Sequence, residues 1–151
     1  MRQLIHIIAS TLILTSCMDK KTTILNELKK DGFPDKEVAV TLETFFEGNH
    51  GDSSIGVNLY PHQPTPQEFY DVFKKIKSSN KTENIFVRIS DADDVDWFYT
   101  DAVYIVGNWT ADEMREVVKD LHPDEIYDGW MYGKPANVPQ TNSKVLSLWW
   151  D

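Results

Sequence analysis

Four aspartates, Asp91, Asp93, Asp94 and Asp96, crowd six residues of this chain and are the densest set of potential ligands in it. Alternating carboxylates on a loop suit a hard cation such as Ca²⁺, which takes about six to eight oxygens. Counted from Asp91, however, the sixth and twelfth positions hold Asp96 and Ala102. An EF-hand needs glycine and a bidentate glutamate there, so that loop type is excluded. The remaining readings are a solvated acidic loop, a weak cation site, or a docking patch for a basic partner. His50, His62 and His122 show no paired spacing with Cys, His or Glu on one helix face, so no zinc site of four converging ligands is expected. Neither a Gly-x-Ser-x-Gly elbow nor a glycine-rich phosphate loop occurs, and no catalytic residue, metal or cofactor is assigned. The five tryptophans are Trp97, Trp109, Trp130, Trp149 and Trp150. Adjacent residues of a strand point to opposite faces, so one of Trp149 and Trp150 is expected in the core and the other exposed or covered by a partner. The candidate partner or cation-binding set is therefore Asp91, Asp93, Asp94, Asp96, Trp97, Trp149 and Trp150.

A second kind of chemistry sits at the start of the chain. After Met1-Arg2-Gln3, an apolar run from Leu4 to Leu14 is interrupted only by His6, Ser10 and Thr11, and Asp19-Lys20-Lys21 follows soon after. That run is shorter than the ~20 residues a bilayer-spanning helix needs and fits an export signal. Its end, Leu14-Thr15-Ser16-Cys17, resembles the lipobox of bacterial lipoproteins. The small residues at 15 and 16 admit a peptidase, and the Cys17 sulfur can accept a diacylglycerol as a thioether. In such proteins the new amino terminus can gain a further acyl chain; at ~0.8 kcal/mol per buried CH₂, two chains anchor stably where one is marginal. Cys17 is the only cysteine, so no intrachain disulfide can form, and lipidation removes a lone thiol from an oxidising compartment. The competing readings are an ordinary secretory signal with an incidental cysteine, or an uncleaved N-terminal helix. The resemblance implies a lipid anchor on the outer face of a bacterial membrane.

The elements that must position these groups follow from 151 residues, 41% hydrophobic and 12% aromatic, enough for one packed domain. The expected division is 1–16 signal peptide, 17–34 lipidated N-terminus and tether or short helix, and 35–151 a single α+β domain. The formal net charge is −9; loss of residues 1–16 removes only Arg2, giving 14 − 24 = −10. Such a surface repels phosphate backbones, which argues against a nucleic-acid partner and leaves a basic protein as the natural one.

Glu37–Glu47 and Ser54–Tyr60 read as two strands joined by the turn residues Gly48–Asp52. Thr65-Pro66-Gln67-Glu68 is a capping box with proline at the first helical position, followed by Phe69, Val72, Phe73 and Ile76 on one stripe. Asn84–Ser90 and Ala102–Val106 read as strands, and Thr110-Ala111-Asp112-Glu113 repeats the box ahead of Met114, Val117, Val118 and Leu121. The two helices share a template forty-five residues apart, which suggests two consecutive ββα units. Lys144–Trp150 reads as a last strand, and residues 123–143 as a long connection with a short strand near Ile126. The expected fold is an antiparallel or mixed sheet with both helices packed on one face.

Val40–Asn49, Ser54–Leu59 and the ending Trp149-Trp150-Asp151 resemble a family of small uncharacterised bacterial proteins, and more loosely toxin-immunity proteins. The resemblance covers most of residues 38–151 and brings no catalytic residues with it. The acidic balance, the absence of a catalytic motif and the anchor lead to a non-enzymatic, protein-binding lipoprotein, with an immunity-like module as one form of it. A glycan-binding protein or a small hydrolase of the cell envelope is the alternative, since aromatic rings beside carboxylates hold sugars and paired carboxyls cleave them.

Overall fold

The computed structural model describes residues 20–59, 61–94 and 96–151. The signal-like run, the lipobox and Cys17 lie outside the described residues. None of the described helices is long and apolar enough to cross a membrane.

The chain is helical from residue 20 to 30, here α1. This segment is docked on the body: Leu28 is buried and Ile24 and Leu25 pack against the core. Lys21 is almost wholly buried, donates to the carbonyls of Ala92 and Asp94, and stands over the Phe98 ring.

Strand β1 is only Ala39–Thr41. The reading of Glu37–Glu47 as one strand fails at Thr41, whose hydroxyl accepts the backbone N–H of Thr44 and caps a short helix α2, Leu42–Phe46. Leu42, Phe45 and Phe46 have helical spacing and are all buried. The second expected strand is absent as well. Ser54–Leu59 contributes one isolated bridge, Ile55 to Thr100, and then a 3₁₀ turn, Val57–Leu59. No β-hairpin forms here, so one ββα unit is present where two were expected.

From Thr65 onward the local signals hold. Helix α3, Pro66–Lys77, starts with a complete capping box and buries Phe69, Phe73 and Ile76. Strands β2, Thr82–Arg88, and β3, Ala102–Gly107, pair antiparallel and lead into α4, Ala111–Val117, which carries the second capping box. This helix is shorter than its stripe suggested: Val118 leaves helical geometry, a 3₁₀ turn takes Lys119–Leu121, and Val117 is 40% exposed. Strands β4, Glu125–Asp128, and β5, Val145–Trp149, complete the sheet.

The fold is α+β, with an antiparallel five-stranded sheet in the order β1-β2-β3-β5-β4. Four helices rather than two supply the core on one face. Leu28, Phe45, Phe73 and Met114, one from each helix, join Ile85, Val87, Val103, Ile105, Leu146 and Leu148 in a single cluster. Gly107 ends β3 where a register shift lets the chain turn close to Lys81; it has φ +155°, and a Cβ there would fall 2.1 Å from the Lys81 carbonyl oxygen.

Among the described residues, no helix covers the other face of the sheet. Its residues Ala102, Tyr104, Val106 and Val145 form a second, smaller cluster, with Phe86, Trp130 and Trp149 packed around it. Residues 129–143 cross this face as a strap. The Ser147 hydroxyl donates to the Gly129 carbonyl at 2.6 Å and accepts the Met131 N–H at 3.1 Å. Further along, the Asn137 carboxamide accepts from the Ala39 N–H at 3.0 Å and donates to its carbonyl at 2.8 Å.

Candidate functional site

Directly opposed residues in a sheet share a face. Register therefore places Arg88, Phe86, Tyr104, Ala102, Ser147, Trp149, Tyr127 and Glu125 on the helix-free side. The strap adds Trp130, whose ring meets Tyr104 edge-on at 4.9 Å, and Tyr132. Tyr127 and Tyr132 are 43% and 38% exposed, and Trp130 and Trp149 are partly so. Four half-exposed aromatic side chains thus gather around β4, β5 and the start of the strap. Glu125 of β4, opposite Trp149, borders them, while Asp128 lies opposite Leu146 on the other face and is paired with Lys144 at 3.2 Å.

An ion-pair network pins the strap to this surface. Arg88 makes a two-pronged pair with Glu37 at 2.7 and 2.8 Å and reaches Asp101 at 2.8 Å. Its guanidinium lies 3.8 Å from the Tyr132 ring centre, and the Tyr132 hydroxyl donates to Asp101 at 2.7 Å. Ser90 donates to the same carboxylate at 2.5 Å. Burial alone would push the Asp101 carboxyl up. The donors Ser90, Tyr132 and Arg88, with the guanidinium charge, outweigh that and hold it below the usual carboxylate range. Burial raises the Tyr132 phenol, and its donation to Asp101 raises it further. Burial also raises Tyr104, whose hydroxyl is enclosed without a hydrogen-bond partner among the described residues. The guanidinium faces two carboxylates, which leaves the network with one net negative charge, so it holds shape and does not attract an anion.

The residues singled out from the sequence are divided between three places. Asp91, Asp93, Asp94 and Asp96 lie on the loop from β2 to β3. The Asp91 carboxylate accepts the Asp93 N–H at 2.6 Å and the Asp94 carboxylate accepts the Asp96 N–H at 2.7 Å, so two of the four are spent on shaping the loop. That backbone donor chiefly holds Asp94 below its usual range, with help from Ser53 and nearby Lys21. Among the described residues no group of three or more His, Cys, Asp or Glu side chains is placed to hold a metal ion. Trp97 and Trp150 are 2% and 1% exposed. Their indoles donate to the carbonyls of Phe45 and Leu121, each at 2.8 Å, and serve the core rather than a surface. Trp149 remains at the aromatic surface.

Arg88, Asp101, Tyr127 and Tyr132 escaped the sequence reading. A weak signal existed for the first: Arg88 ends an otherwise apolar run at the period-two position of Phe86. Nothing local marks Tyr132, which reaches the sheet only because the strap folds back.

Comparison with protein families matches residues 19–148 to the uncharacterised YfbO family. The chain belongs to the YfbO family. Among curated proteins it is similar to the uncharacterized protein YfbO of Escherichia coli (strain K12), with 30% identity over 116 residues, covering 74% of this chain and 81% of the relative. No solved structure matches the chain.

Proposed function

We propose that this protein is a lipid-anchored, non-enzymatic binding module of the bacterial cell envelope, held by Cys17 and engaging a basic protein through the helix-free face of its sheet. The observation that carries the reading is the composition of that face. Tyr127, Trp130, Tyr132 and Trp149 form its centre, and Glu125 stands at its border. Large aromatic side chains supply most of the binding energy in protein interfaces, while rim charges select the partner and speed its approach. The net charge of −9 sets the sign of that selection toward a basic surface. An immunity-like role, in which the face covers a basic partner, fits the same chemistry.

Hydrogen-bond donors hold Asp94, Asp101 and Glu113 low, the opposite of what a general acid needs. The test places a photo-crosslinking amino acid at Tyr127 in the native host, with Asp112 as an exposed control. A discrete adduct with a basic protein is expected at 127 alone. No adduct there, or the same adducts at both positions, overturns the reading. Cys17→Ala tests the anchor separately: it should abolish incorporation of labelled fatty acid, and unchanged mass and membrane fractionation would refute lipidation.

A further inference from the structure

Strand β1 is one edge of the sheet. The Ile89 N–H donates to the Val38 carbonyl, and Val40 lies opposite Val87. In an antiparallel ladder the backbone groups alternate in direction, so Val38 and Val40 turn theirs toward β2 and Ala39 turns its N–H and C=O outward. Both outward groups are taken by the Asn137 carboxamide, at 3.0 and 2.8 Å. One side-chain amide here makes the donor and acceptor contacts that a peptide unit of an additional strand would make. Covering an edge in this way suppresses uncontrolled pairing, and it marks where controlled pairing would occur.

Beside this edge runs an open groove of about 310 Å³, between β1 and α1. Ile24 and Leu28 form its helical wall, and Phe86 and Val138 contribute apolar surface from the sheet and strap. Glu27 on α1 and Asp31, in the turn just after it, line it as well. The groove thus offers apolar contacts, two carboxylates, of which Glu27 is paired with Lys30 at the surface, and a strand edge held by the strap through the Asn137 carboxamide and, at the Glu37 carbonyl, the Ala136 N–H. An extended peptide matches all three: its backbone takes over the contacts of Asn137, alternate side chains fill the apolar wall, and a lysine or arginine meets Glu27 and Asp31.

We propose that the groove between α1 and the β1 edge binds an extended, basic peptide segment by strand addition, with the Asn137 carboxamide as the placeholder it displaces. This site stands on its own geometry, at the opposite sheet edge from β4, and does not depend on the aromatic face binding a protein.

The experiment uses the full chain in detergent and two fluorescein-labelled hexapeptides, Lys-Val-Lys-Ile-Thr-Lys and its counterpart with glutamate at each lysine, read by anisotropy. The basic peptide should bind and the acidic one should not. Glu27→Gln with Asp31→Asn should weaken binding roughly fivefold, the scale of two exposed ion pairs. Asn137→Ala removes the competitor and should tighten binding about fivefold, the scale of one net hydrogen bond. Ile24→Lys puts a cation in the groove and should abolish binding, and circular dichroism checks that each variant is folded. A folded Asn137→Ala variant that binds no tighter, a Glu27/Asp31 variant that binds equally, equal binding of both peptides, or no binding of the basic one overturns the proposal. The variant Tyr127→Ala should leave peptide binding unchanged; loss of it there would place the peptide on the aromatic face and refute the groove.

Discussion

Asp101→Asn is the substitution that asks most directly what holds the strap on the sheet. The carboxylate takes hydrogen bonds from Ser90 at 2.5 Å, Tyr132 at 2.7 Å and Arg88 at 2.8 Å. A hydrogen bond to a charged group contributes about 1.5–3 kcal/mol against about 0.5–1.5 for a neutral pair, so neutralising the acceptor weakens three bonds by roughly 1 kcal/mol each. Two terms work the other way. A neutral amide is cheaper to bury than a carboxylate, and Arg88 keeps its two-pronged pair with Glu37. The net loss is then about 2 kcal/mol. With a urea m-value near 1.5 kcal/mol/M, the unfolding midpoint at pH 7 should fall by about 1.3 M. Because the folded Asp101 carboxyl lies below its unfolded value, its stabilising effect is fully present above about pH 4 and is lost as pH falls through the lowered folded value. The difference between wild type and variant should therefore narrow on acidification. Urea titrations followed by tryptophan fluorescence at pH 7, 4 and 2.5 measure it. A midpoint shift below about 0.3 M at pH 7, or a difference that does not change with pH, would refute the account of Asp101 as the charged anchor of the strap.

Gly107→Ala should destabilise by about 2 kcal/mol or more, because the added Cβ meets the Lys81 carbonyl oxygen at 2.1 Å and φ is +155°; thermal denaturation showing an unchanged midpoint would contradict this. Trp150→Ala empties a site against Phe69 and Phe73, at ring separations of 5.4 and 6.5 Å, and also removes the bond to the Leu121 carbonyl. It should cost about 3–5 kcal/mol, whereas Trp149→Ala, at a half-exposed site, should cost clearly less and instead reduce crosslinking at position 127. Equal losses of stability from the two tryptophans in urea would show that their burial does not differ as described.

Some of this protein was readable one segment at a time. The capping boxes at Thr65–Glu68 and Thr110–Glu113 need only four consecutive residues to close their hydrogen bonds, and both helices begin there. Strands β2, β3 and β5 contain runs of β-branched and aromatic residues that suit little else. The four aspartates were visible as loop composition, but not the turns that consume two of them.

Other parts depended on distant partners. Val38, Val40 and Leu42 alternate with period two, while Leu42, Phe45 and Phe46 also fit a helix, so the stretch carries two compatible patterns. The outcome was set by the Thr41 cap and by the core that receives Phe45 and Phe46. Likewise, Arg88, Asp101 and Tyr132 are separated by 13 and 31 residues and become neighbours only when residues 129–143 return across the sheet. Local signals fixed where α3 and α4 begin because their hydrogen bonds close within one turn. The aromatic face, the strap and the guarded edge of β1 had to await tertiary structure, because contacts between distant segments form only when the whole core offsets the entropy of closing the loops between them.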